Sequence, residues 1–197
     1  FAIKGVTGWE GTGTPGGTAD VGVKGGRITG IGRAEGKARE VIDADGLAVS
    51  PGFVDVHTHF DAQVFWDTTL SPSPLHGVTS IIGGNCGCTI APLGPGHGEY
   101  LMRMLARGGG MPLVALERGV PWNWRSFADY LDAIEGTLMP NAGFLVGHCP
   151  IRKLVMGDRA VGYEAPRADV ERLKALLAAS ITGGGRGCPS LRVTTHK

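Results

Sequence analysis

The stretch Pro51-Gly52-Phe53-Val54-Asp55-Val56-His57-Thr58-His59 decides the fold. Pro-Gly punctuates the chain, and an apolar alternating run follows. Read as a strand, Phe53, Asp55, His57 and His59 share one face, with Val54 and Val56 on the other. The two histidines then lie about 7 Å apart along the strand. Two imidazoles at i and i+2 converge on one metal ion when they stand at the C-terminal end of a buried strand. That is the end where α/β barrels carry their active sites. The bland reading is two polar strand-end residues; the apolar run and the Pro-Gly start favour the metal.

Downstream, strands and helices alternate. Val78 to Ile82 and Ala142 to Val146 read as a second and a third strand. Helical patterns cover Tyr100 to Arg107, Ser126 to Glu135 and Pro166 to Ile181. Ser126 reads as an N-cap with Asp129 three residues on. The last helix begins at a proline, carries Val170, Leu173, Leu176 and Leu177 on one face, and pairs Glu171 with Lys174. Such alternation implies parallel βαβ units with right-handed crossovers. Upstream the pattern changes to short strands. Ala19 to Val23 and Arg27 to Ile31 flank Lys24-Gly25-Gly26, a hairpin signal. Val41 to Ala44, a turn at Asp45-Gly46 and Leu47 to Val49 follow. The expected class is therefore α/β, with a small all-β domain over residues 1–50 and barrel units over residues 51–197.

Size and charge exclude other classes. A complete (β/α)₈ barrel takes roughly 250 residues, more than the 197 of this sequence. With 19 basic and 18 acidic residues the net charge is +1, and no basic excess points to nucleic acid. No apolar run approaches the 18 or more residues of a membrane helix, and no secretory leader is evident. Four cysteines at irregular spacing make no disulfide framework, so a reduced, cytoplasmic setting is expected. The 34 glycines lie among apolar runs and read as tight turns.

Further residues carry possible chemistry. Gly83-Gly84-Asn85-Cys86-Gly87-Cys88 follows the second strand directly and offers Cys86, beside the first strand, as a thiolate ligand; from spacing alone a structural cysteine in a glycine turn is the favoured reading. Cys88 reads as structural. Gly147-His148-Cys149 follows the third strand and offers His148 as a ligand or a substrate contact, though a hydrogen-bonded packing residue is the commoner role of such a histidine. Asp61 and Gln63 either reach the site or cap a helix. His76 and His97 read as solvated loop residues, and Trp122 and Trp124 as packing anchors. Gly11-Thr12-Gly13-Thr14-Pro15-Gly16 matches a dinucleotide fingerprint only formally, since no helix follows it.

Taken together, these motifs resemble the amidohydrolase superfamily. Pro51 to His59 is similar to its first barrel strand, and Val41-Ile42-Asp43-Ala44-Asp45-Gly46 and Gly26-Arg27-Ile28 to its lead-in. His59 to Gly87 resembles the N-acyl-D-amino-acid deacylase (D-aminoacylase) branch, which has an Asn-Cys-Gly turn whose cysteine is a zinc ligand. His76-Gly77-Val78-Thr79, Met111-Pro112-Leu113, Pro121 to Trp124, Tyr130-Leu131, Val146-Gly147-His148, Arg152 and Val155-Met156-Gly157 extend the likeness over nearly the whole chain.

The resemblance implies a zinc-dependent hydrolase that splits the amide of small-molecule N-acyl-D-amino acids. His57, His59 and Cys86 would hold one or two zinc ions, which polarise the carbonyl and acidify a bound water. His148 is the candidate substrate contact. In that family further histidine ligands and the general-base aspartate come from later strands. They are expected beyond residue 197, so the chain corresponds to the first part of the barrel and is expected to be inactive alone. Where the family has a Gly-Ala-x-Gly strand, Thr182 to Ser190 is glycine-rich, and register resumes at Arg192 to His196. This departure fits a local disturbance of the reading frame. A cyclic-amide hydrolase, as in hydantoinases, and a non-catalytic scaffold stay open, as does homo-oligomerisation. A part-barrel leaves strand edges and apolar surface uncovered, so the isolated chain is expected to aggregate. A sharp cooperative melt of a monomer would contradict that.

Overall fold

A two-glycine turn starts the fold. Gly25 and Gly26 take φ of 60° and 73°, the mirror-image turn that matches the twist of paired strands. In the computed structural model, which describes residues 1–8, 11–33 and 36–189, this turn joins β2 (Gly17–Lys24) to β3 (Arg27–Gly32). Both follow β1 (Ala2–Gly8), and β4 (Val41–Asp43) and β5 (Ala48–Val49) complete the sheet. The order is β3-β2-β1-β4, with β5 also on β1. β1 to β3 are antiparallel, and β4 and β5 run parallel to β1. Val6, Val21 and Ala44 form its small core.

The chain divides into two compact units, Phe1–Gly52 and Phe53–Lys197. The second unit is α/β. Its strands β6 (Phe53–Asp55), β7 (Val78–Gly83) and β8 (Asn141–Phe144) are parallel and adjacent in chain order. Between β7 and β8 lie α1 (Gly98–Gly108), α2 (Leu113–Gly119) and α3 (Phe127–Ile134); α4 (His148–Met156) and α5 (Arg167–Thr182) follow β8. The three expected helices are all present within two residues of their expected ends. α2 and α4 are additions. Among the described residues no helix is long and apolar enough to cross a membrane.

Aromatic packing builds the core. The ring of Tyr130 lies 5.4 Å from Phe144, 5.5 Å from Trp124 and 6.0 Å from Phe65. Trp124 stacks on Phe65 at 5.2 Å and donates its indole N–H to the Ile90 carbonyl at 2.9 Å. The anchor reading of this tryptophan thus matches its packing.

α3 begins with a full capping box. Asp129 N donates to Ser126 Oγ at 3.1 Å, and Ser126 N donates to Asp129 Oδ2 at 2.8 Å. The Ser126 N–H, then the Arg125 N–H and the Ser126 hydroxyl, hold the Asp129 carboxyl below its usual range. A depressed folded value means stabilisation that is complete above the ordinary carboxylate range and lost as pH falls through the folded value. Ser126→Ala should cost about 1 kcal/mol in urea unfolding near neutrality. The difference from wild type should shrink on acidification; a pH-independent difference would refute the coupling.

Three expectations need correction. The strand expected over Phe53 to His59 ends at Asp55, so His57 and His59 stand on a loop. Nor is that strand buried: β6 has a neighbour on one side only among the described residues, and Phe53, Val54 and Val56 are exposed. His148 does not end a strand; it opens α4, because β8 closes at Phe144. The glycine-rich run after α5 forms no regular strand up to Pro189. It still lies along the end of β8, where Arg186 N donates to the Phe144 carbonyl at 2.9 Å and Val146 N to Gly187 at 2.8 Å. The resumed register at Arg192 to His196 lies outside the described residues.

Candidate metal centre

Two loops at the C-terminal ends of β6 and β7 build the centre. Asp55 Oδ1 accepts the His57 N–H at 3.1 Å, a local turn that takes the chain off the ladder. Thr58 then crosses to β7, donating its N–H at 3.1 Å and its hydroxyl at 3.0 Å to the Ile82 carbonyl. His57 and His59 are therefore pinned opposite the end of β7, on either side of a fixed threonine. Their rings lie 5.6 Å apart at 67°.

β7 runs into a sharp turn. Gly84 has φ 81°, and a Cβ there would stand 2.3 Å from the Leu145 carbonyl oxygen. Only glycine fits. Cys86 has φ 57° and ψ 12°, a left-handed conformation rare for a residue with a side chain. Such conformations persist where the surroundings enforce them. This one brings Cys86 Sγ to 3.3 Å from His57 Nε2. Gly84→Ala should cost at least about 2 kcal/mol from backbone strain and clash. Urea unfolding measures it; a loss under 0.5 kcal/mol (about a twofold change in the folding constant) would show that the turn is not enforced.

Ligand atoms of His57, His59 and Cys86 all lie within 4.8 Å of one another. Ligands of one tetrahedral zinc stand about 3.5 Å apart, so one ion needs only small adjustments. The donors fit such an ion in other ways. Buried His59 Nδ1 has no hydrogen-bond partner among the described residues. Burial, then the neighbouring His57, pushes the His59 pKa down, which keeps its ring neutral as a ligand requires. Burial and Cys88 push the Cys86 thiol up; coordination would deprotonate it outright.

Asp61 lies beneath this centre, not on it. It caps no helix: the short 3₁₀ turn Gln63–Phe65 starts at Ala62 without a side-chain cap. Asp61 Oδ2 instead accepts the Gly84 N–H at 3.0 Å and ties the two ligand loops together. Burial pushes its carboxyl up to about 7, against the pull of the Gly84 bond. Gln63 Nε2 is spent on Asp67 Oδ2 at 2.9 Å and the Ser71 carbonyl at 3.2 Å. His148 is half-buried at the start of α4 and is not part of the converging trio. Cys88 and Cys149 are buried and form no disulfide. Contact with Cys88 and burial push the Cys149 thiol far up.

Known proteins resemble this chain over most of its length. An amidohydrolase family model matches residues 40–182. The chain belongs to the amidohydrolase family. Within the family it is similar to D-aminoacylases. D-aminoacylase of Alcaligenes xylosoxydans xylosoxydans is 37% identical over 195 residues, covering 95% of this chain and 38% of that protein. A solved D-aminoacylase, studied for its binuclear metal centre, superposes with a TM-score of 0.78 at 34% identity, over 96% of this chain and 38% of that one. The N-acyl-D-glutamate deacylase of Bordetella bronchiseptica, solved with zinc and a phosphonate inhibitor, gives 0.74 at 33% identity over the same shares. This amidohydrolase chain thus spans less than two-fifths of the length of these relatives, and its α/β unit is the corresponding part of their barrel.

Proposed function

We propose that this chain carries the metal half-site of a zinc-dependent deacylase acting on N-acyl-D-amino acids. The observation that carries the reading is the convergence of His57, His59 and Cys86 in a chain 37% identical to D-aminoacylase. Two imidazoles and a thiolate suit zinc better than hard cations such as magnesium or calcium. When bound, zinc supplies Lewis acidity toward an amide carbonyl and lowers the pKa of a water. The residues of this chain hold that position: His57 and Cys86 from facing loops, His59 from the buried side. The general-base aspartate is expected from outside residues 1–197, and His148 is kept as a substrate contact from its place beside the Cys86 turn. None of the four cysteines is in a disulfide, which supports a cytoplasmic setting.

The test is hydrolysis of an N-acyl-D-amino acid, its L-enantiomer and a cyclic amide by zinc-loaded protein. The samples are the 197-residue chain alone and any longer protein that contains it. Turnover of the D-substrate by the longer protein, abolished by a chelator, is expected, with none by the chain alone. Preference for the cyclic amide would move the assignment to the hydantoinase-like reading. No turnover of any substrate would favour a scaffold.

A further inference from the structure

One side chain touches both ligand loops. Asn85 is buried and precedes Cys86 in the β7 turn. Its Nδ2 donates to the Ile82 carbonyl at 2.9 Å and lies 3.4 Å from the carbonyls of both Val56 and Thr58. The Val56 carbonyl belongs to the peptide unit that enters His57, and the Thr58 carbonyl to the unit that enters His59. Fixing a peptide plane fixes the Cα–Cβ direction of the residue after it. The same amide braces the turn that holds Cys86 in its left-handed conformation. Ile82 O gathers the clasp, accepting from Asn85, Thr58 N and Thr58 Oγ1.

We propose that Asn85 is a positioning residue: its side-chain amide, without touching the ion, aims His57, His59 and Cys86 at a common point and so sets metal affinity. The inference rests on the reading of these three residues as metal ligands. Outer-shell partners of ligands typically change metal affinity 10- to 100-fold. Here the outer-shell group acts on the backbone of the ligands instead of their ring nitrogens.

Cobalt(II) titration of the 197-residue chain and of Asn85→Ala tests it, beside thermal melts of both without metal. Cobalt reports tetrahedral coordination by its visible bands and the thiolate by a near-ultraviolet charge-transfer band. A positioning role predicts a roughly 10- to 100-fold weaker affinity and a weakened charge-transfer band per bound ion. A merely structural role lowers the melting temperature and leaves the affinity and the spectrum of the folded protein alone; that result overturns the inference. Thr58→Val, close in shape and lacking only the hydroxyl bond to Ile82, serves if Asn85→Ala does not fold. It should shift affinity and spectrum in the same direction by a smaller factor, and an unchanged titration overturns the clasp. Failure of the wild type to bind cobalt overturns the metal reading itself, and the inference with it.

Discussion

Replacing His57 or Cys86 with alanine should lower zinc affinity by more than about 100-fold, beyond the usual cost of losing an outer-shell partner. The argument is geometric. Cys86 Sγ and His57 Nε2 already stand 3.3 Å apart, and removing either leaves two donors of the three. Two protein donors complete no tetrahedral set, so water must fill half of it. His57 is exposed, so its removal changes the stability of the metal-free protein by about 0.5 kcal/mol or less. Affinity and stability should therefore separate. Competition with a chromophoric chelator reads the first, and urea unfolding without metal reads the second. Wild-type zinc affinity in His57→Ala would remove this residue from the centre.

Tyr130→Ala should produce the largest loss of stability, about 3–5 kcal/mol. Its ring is fully buried and meets Phe65, Trp124, Phe127 and Phe144, so truncation leaves a cavity that four rigid rings cannot close. Its hydroxyl also donates to the Asp61 carbonyl at 3.0 Å. Since the Asp61 carboxylate holds Gly84, the tyrosine links the aromatic core to the ligand loops. Tyr130→Phe should cost only about 1 kcal/mol, the net value of one hydrogen bond. Denaturant unfolding followed by tryptophan fluorescence compares the two. Nearly equal losses would mean that the hydroxyl, not the ring, carries the effect.

Much of this arrangement was legible in the sequence because it is local. Val78 to Ile82 is rich in β-branched residues and bounded by glycine, and it is a strand. Ser126 and Asp129 have capping spacing, and they cap. The His-x-His and Asn-Cys-Gly motifs each follow a barrel strand, and the fold places consecutive parallel strands side by side. What was not legible depends on contacts distant in sequence. Alternation extended β6 through His59, whereas the Asp55 turn and the Thr58 bonds to Ile82 take the chain off the ladder. His148 read as a strand end because the only helix-start marks in Gly147-His148-Cys149-Pro150 are a glycine and a proline that falls in the first turn. Asn85 read as part of a turn; its three carbonyl partners include two that lie 27 and 29 residues away. Asp61 has no capping role because its carboxylate reaches Gly84, 23 residues on.

The central claim is that His57, His59 and Cys86 share one ion. X-ray absorption at the zinc edge of the loaded protein tests it most directly. The account predicts one sulfur at about 2.3 Å and nitrogen at about 2.0–2.1 Å, with the sulfur lost in Cys86→Ala. A shell of nitrogen and oxygen alone in the wild type, or a sulfur that persists in Cys86→Ala, would contradict it.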